Sequence, residues 1–238
     1  MHRFSVQIAA TIAGRLPIVR FLLDRGAEVN HANMYGFTAL LCAAEHNHVE
    51  IAELLINRGA NVHQKESEGY TALAVAAKAG HVNAVKLLLS ARADINVRNL
   101  REDTALLLAA AKGRDQVVDA LLAARSDPNV ANREGASPLL MAAWGASLPV
   151  ARALVAAKAD VNFRNLQRGD TPLILAGYRG ATQVVEWLAS QGARPDISNN
   201  KGTNVYSFKK PEITEAVQRG VEAYAARFKK NDEDAYNN

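Results

Sequence analysis

The sequence predicts an all-α repeat solenoid of about six helix-turn-helix units, each followed by a projecting loop. Three observations carry this. Thr38, Thr71, Thr104, Ser137 and Thr171 fall in one column, separated by 33, 33, 33 and 34 residues. Each opens an alanine- and leucine-rich run: TALLCAAEHN, TALAVAAKAG, TALLLAAAKG, SPLLMAAWGA and TPLILAGYRG. The rows close on related phrases, RGAEVN, RGANVH, RADINV, RSDPNV, KADVNF and QGARPD. Self-similarity at such a period marks units that bury their apolar faces only by stacking on their neighbours.

The first repeat spans 3–35. Counting back 33 from Thr38 reaches Ser5, from Ala44 Thr11, and from Gly59 Gly26. Ile8 to Ala13 therefore read as the first helix of a repeat rather than as the apolar stretch of a signal peptide. This row is degenerate, with Gln7 in a core-leucine column and Arg3 for the turn glycine, as expected of a capping unit. In the second repeat, 36–68, Gly36 permits a tight turn and Thr38 caps a helix carrying Leu40, Leu41, Ala43 and Ala44. Asn47 ends it. A second helix from about His48 to Asn57 places Val49, Ile51, Ala52, Leu54 and Leu55 on a buried side. Gly59 is its natural left-handed stop, and Ala60 to Gly69 form a polar loop.

Repeats at 69–101, 102–134, 135–168 and 169–201 follow the same plan. From Gly202 the last row keeps a short first helix before Pro211, and PEITEAVQRGVEAYAARFKK reads as an amphipathic helix over 211–230 that Gly220 weakens. The segment 202–230 is thus a C-terminal cap, and 1–230 reads as one domain. Residues 231–238 have nothing to bury and are expected to be disordered.

Gly69–Asn96, GYTALAVAAKAGHVNAVKLLLSARADIN, closely resembles the ankyrin repeat, whose pattern is G-x-T-[AP]-L-x-x-A-A-x-x-G-H-x-x-x-V-x-x-L-L-x-x-G-A-D-V-N. The resemblance covers about residues 3–205. It implies an L-shaped unit of two antiparallel helices with a β-hairpin-like finger nearly perpendicular to them. The family's histidine after T-P-L is replaced by Leu41, Ala74, Leu107, Leu140 and Ile174. The glycine before A-D becomes Arg92, Arg125 and Lys158, which must then take a left-handed turn at some cost. Arg168 reads as a one-residue insertion in the finger before Gly169.

Charge offers little toward a nucleic-acid partner. Basic and acidic residues stand at 8 to 7 over 1–90, 13 to 11 over 91–200 and 7 to 6 over 201–238, so no segment is a basic block. The single cysteine, Cys42, sits in an apolar helical run and reads as a small buried hydrophobe; a disulfide-free chain fits a reducing compartment, with cytoplasmic location expected. No stretch approaches the roughly 18 consecutive apolar residues of a membrane span. Chemistry is equally sparse. His48 and His81 occupy the repeat's own G-H position, while His2, His31, His46 and His63 lack companions at metal-ligand spacing. Asp94, Asp127 and Asp160 belong to the G-A-D phrase, and the glycines serve turns rather than a phosphate loop. No enzyme activity, cofactor, metal site or small-molecule substrate is implied.

If the repeat is framework, function lies where the rows disagree on the surface. The resemblance places two such columns on the concave side: the finger tips, and the positions that end each first helix. They carry Met34, Tyr35, Phe37, His46, Glu68, Tyr70, Lys78, Leu100, Arg101, Asp103, Lys112, Arg133, Trp144, Leu166, Asp170, Tyr178 and Arg179. Five of the fourteen aromatics fall there (Tyr35, Phe37, Tyr70, Trp144 and Tyr178), and Trp, Tyr and Arg are the side chains that most often dominate interface energetics. The competing role is packing, with Tyr35 and Phe37 on the adjoining finger and Trp144 in space left by the small neighbours Gly145 and Ala146. Trp187, in a leucine column, is assigned to the core.

The expected function is therefore non-catalytic binding of a folded protein, as an adaptor or scaffold, by a chain that is monomeric when unbound. A second reading makes it an inhibitor or immunity-type protein whose fingers occlude a partner enzyme's active site. A third, nucleic-acid binding through Arg98, Arg101, Arg133, Arg164 and Arg168, ranks lower, because mixed charges suit a phosphate backbone poorly.

Overall fold

The computed structural model describes the backbone of residues 6–236 and the side chains of residues 6–227. His2, Arg3 and Ser5 lie outside them. The chain forms two compact units, Met1–Asp127 and Pro128–Asn238, where the repeat register alone predicts one continuous body. The all-α repeat architecture holds in both.

The first unit contains four helix pairs: α1 (Val6–Ile12) with α2 (Leu16–Asp24), α3 (Ala39–Glu45) with α4 (Val49–Asn57), α5 (Ala72–Ala79) with α6 (Val82–Ser90), and α7 (Ala105–Ala111) with α8 (Asp115–Ala123). First helices pack on first helices and second on second, giving two layers. Alanine makes this possible. Ala43, Ala44, Ala76, Ala77, Ala109 and Ala110 are all buried, and their small side chains let α3, α5 and α7 approach closely while Leu40, Leu73 and Leu106 fill the space between layers.

The second unit contains α9 (Pro138–Trp144), α10 (Leu148–Ala156), α11 (Pro172–Arg179), α12 (Thr182–Ser190), a 3-10 turn (Val205–Phe208) and α13 (Pro211–Tyr236). The capping helix starts at Pro211 as predicted but runs to Tyr236 instead of stopping near 230, because no glycine or proline follows Gly220 to end it. Of the tail expected at 231–238, residues 231–236 continue this helix, and 237–238 lie outside the described residues. Gly220 is required rather than merely tolerated. A Cβ there would press on the Glu186 carbonyl and the Ala189 methyl of α12, so its absence is what lets α13 seal the stack.

The caps follow the column that defines the repeat. The hydroxyls of Thr38, Thr71, Thr104, Ser137 and Thr171 each accept a hydrogen bond from the amide three residues on, at 3.2–3.3 Å. His48 and His81 play the structural part expected: their Nε2 atoms donate to Ile12 O (3.1 Å) and Glu45 O (2.9 Å), carbonyls ending the preceding first helix. Arg114, in the same column, donates from Nε to Lys78 O at 3.4 Å. Arg92, Arg125 and Lys158 do take positive φ, at 62°, 67° and 73°.

Two burial expectations need correction. Val49 is half-buried, at the first position of α4. Trp187 is also half-buried rather than core: it lies in an outer groove beside Arg152, Arg219 and Arg227, where a single helix, α13, replaces a full repeat above it.

Candidate protein-binding face

Each finger is a tight turn built by one side chain accepting from its own backbone. Asn33 Oδ1 accepts the amide hydrogens of Tyr35 (2.9 Å) and Phe37 (3.0 Å). Asn99 does the same for Arg101 (2.9 Å) and Asp103 (2.8 Å), Asn132 for Glu134 (3.1 Å) and Ala136 (2.9 Å), and Asn199 for Lys201 and Thr203 (both 3.0 Å). Asn165 reaches one residue further, to Arg168 (2.9 Å) and Asp170 (3.3 Å), which is how the finger absorbs the insertion at Arg168. Glu66 stands in this column too. Its Oε1 accepts from Glu68 (3.0 Å) and Tyr70 (2.9 Å), a longer side chain doing the work of asparagine.

Neighbouring tips are tied by backbone. Ser67 N donates to Tyr35 O and Leu100 N to Glu68 O, both at 2.9 Å. The fingers thus present their side chains on a fixed scaffold, which lowers the ordering cost of any association.

In the first unit the sequence-predicted residues converge. Tyr35, Phe37, Glu68, Tyr70, Lys78 and Lys112 line one groove of about 560 Å³, together with Glu45, Glu66, Ser67, Val75, Ala79 and Arg114. Finger tips form one wall and the ends of α3, α5 and α7 the other. Lys78 Nζ sits 5.1 Å from the centroid of the Tyr70 ring, a cation–π contact that orients both.

Met34 (74 % exposed) and Leu100 (62 % exposed) stand on the tips outside the groove lining, as does Arg101. His46 is exposed but turned back on its own helix, with Nδ1 donating to Cys42 O at 3.0 Å and its ring stacked on His48.

The second unit carries its own aromatic patch. The Arg179 guanidinium lies 5.2 Å from the centroid of the Trp144 ring, and Trp144 is 48 % exposed. Tyr178 leans on Phe208 of the 3-10 turn, centroids 4.7 Å apart, so part of its ring is spent on packing. Phe208 in turn occupies the space that a side chain at Gly177 would take. Arg133 and Leu166 are exposed on this unit's fingers.

Two predicted contact residues are corrected outright. Asp103 and Asp170 are buried, held by Asn99 Nδ2 (3.2 Å) and Asn199 Nδ2 (2.6 Å), and brace the finger bases rather than face a partner. Two arginines of the nucleic-acid reading are braces as well. Arg98 Nε donates to Glu102 O at 3.1 Å, and Arg164 Nη2 to Ser198 O at 3.2 Å. Glu66 and Arg114 were missed as groove residues. Both stood in view, as departures from an asparagine column and a histidine column.

Cys42 is buried beside the groove's helical wall. Burial, with the Glu45 charge adding to it, pushes its thiol up to about 12, so it is no nucleophile at neutral pH. Among the described residues no group of three or more His, Cys, Asp or Glu is placed to hold a metal ion, and no helix is long and apolar enough to cross a membrane.

A family model described as ankyrin repeats (3 copies) matches residues 6–99 and again 106–199. No curated protein matches the chain. Among solved structures, the ankyrin repeat domain of human ASB11 superposes with a TM-score of 0.83 at 23 % identity, covering 91 % of this chain and 98 % of that one. The ankyrin repeat domain of Bcl-3, described as a unique member of the IkappaB protein family, gives a TM-score of 0.78 at 24 % identity, covering 90 % and 98 %. At such identities the likeness speaks to fold alone.

Proposed function

Because the chain belongs to the ankyrin-repeat family, whose repeats generally serve as protein–protein interaction modules, we propose that it is a non-catalytic adaptor or scaffold gripping a folded partner through the groove of its first unit. One observation carries this. Residues singled out only because the rows disagree at their positions, Tyr35, Phe37, Glu68, Tyr70, Lys78 and Lys112, line a single groove between rigid fingers and helix ends. Burying its aromatic floor supplies the affinity, and the charges around it set register and exclude wrong partners. The exposed Trp144–Arg179 pair gives the second unit an aromatic patch of its own.

The test is affinity capture from native lysate with the wild-type chain beside Tyr35→Ala/Tyr70→Ala, both shown folded by circular dichroism. Proteins held by the wild type and lost by the variant support the groove as the site. An unchanged set of captured proteins would remove it. An enzyme among the lost proteins, assayed with and without this chain, would move the reading from adaptor to inhibitor.

A further inference from the structure

We propose that the groove of the first unit receives an extended peptide segment with a basic residue at one end, an acidic residue five or six positions away and an apolar side chain between them. This rests on the reading of the groove as the binding site and adds the chemistry of its occupant.

The charges at the groove's two ends differ in sign. Glu45, at the end of α3, marks one end, and Glu68, on the finger that precedes α5, stands on the finger-side wall. Lys112, at the end of α7, marks the other end. Between them lie Tyr35, Phe37, Tyr70 and Val75. The remaining charges are engaged within the groove wall: Glu66 accepts backbone amides, Lys78 lies over the Tyr70 ring, and Arg114 donates from Nε to Lys78 O.

Three consequences follow. A groove with a carboxylate at one end and a cation at the other meets part of any single-signed polymer with like charge, so it selects against a phosphate backbone. It also fixes direction, because a reversed occupant sets like charge against like, a penalty that makes specificity more than affinity. The spacing follows from the stack. α3 and α7 are two helix layers apart, roughly 16–20 Å at 8–10 Å per packed layer. An extended chain rising about 3.3 Å per residue covers that in five or six residues. Side chains must carry the recognition, since the tip amides of Ser67 and Leu100 already donate to neighbouring fingers rather than offering a strand edge.

The experiment is selection of random dodecapeptides displayed on phage against the immobilised full chain. Parallel selections use Lys112→Glu and Tyr35→Ala/Tyr70→Ala, each checked by circular dichroism. The wild type is expected to enrich a basic–apolar–acidic motif at the stated spacing. A fluorescein-labelled consensus peptide should bind Lys112→Glu about tenfold more weakly by anisotropy, and replacing its acidic residue by lysine should restore binding to that variant. Enriched peptides that ignore Lys112→Glu but lose Tyr35→Ala/Tyr70→Ala would overturn the charge assignment and leave the groove standing. Peptides indifferent to both variants would remove the groove as the site, whereas no enrichment at all would overturn the extended-peptide occupant.

Discussion

The Glu66 carboxylate accepts the amide hydrogen of Tyr70 at 2.9 Å, and so sets the backbone beneath the ring that Lys78 covers. A single buried acid thereby links the conformation of a finger to the floor of the groove. Removing its oxygens leaves the amides of Glu68 and Tyr70 without acceptors inside the turn. Glu66→Ala is expected to cost about 1–3 kcal/mol. Glu66→Asn, which restores the acceptor used in the other fingers, should recover most of that loss. Urea denaturation of the three chains checks it; equal midpoints for Ala and Asn would contradict the role assigned to Glu66.

Arg92, Arg125 and Lys158 hold left-handed backbone at exposed positions where the family pattern has glycine. Left-handed geometry costs an L-residue about 1–2 kcal/mol, and glycine returns part of that gain through its larger unfolded-state entropy. The triple glycine variant should therefore melt higher than the wild type, with a net gain of roughly 0.5 kcal/mol per site. A lower melting temperature would mean that these side chains make contributions the backbone argument overlooks.

For Gly220 two effects oppose each other. Helix propensity alone says alanine gains about 1 kcal/mol over glycine. Packing says the added methyl meets the Glu186 carbonyl and Ala189, and overpacking of that kind costs about 1–3 kcal/mol. Packing wins, because the carbonyl is backbone and cannot step aside. Gly220→Ala is expected to lower the thermal midpoint, and a rise would show that α13 sits less tightly on α12 than described.

Cys42 gives a pH-dependent signature. Its folded pKa, raised to about 12 by burial, lies above the ordinary thiol value, so the folded chain holds this proton more firmly than the unfolded one. The stability it contributes is complete below the unfolded pKa and is lost as pH rises from the ordinary thiol range through about 12. A Cys42→Ser or Cys42→Ala variant should show a shallower alkaline loss than the wild type. At pH 8 a thiol reagent should label Cys42 at the rate of unfolding, whereas immediate labelling would contradict its burial.

Much of this fold was legible in the sequence because a repeat states the same local solution several times. The Thr38 column fixed the caps, and Arg92, Arg125 and Lys158 announced their strained turns by displacing glycine. The site was legible only in part. Tyr70 and Lys112 were found because their rows disagree with the others. Asp103 and Asp170 were wrongly placed on the surface, since a residue beside a turn glycine points outward or inward according to bonds such as Asn199 to Asp170. The helix-end position of Trp144 was visible, but its stacking under Arg179 was not, because that contact joins two rows through side chains. Trp187 misled for another reason: column identity assumes a full repeat above it, and the last layer is a single helix.

Whether a partner is gripped in the groove of the first unit can be read by site-specific photo-crosslinking in native lysate. Benzoylphenylalanine would be placed singly at Phe37, Tyr70 and Lys112 inside the groove, and at Glu53 and Lys86 on the second helices outside it. One shared adduct is expected from the three groove positions and none from the two outside. Adducts of equal yield at Glu53 or Lys86, or different proteins at each groove position, would contradict it.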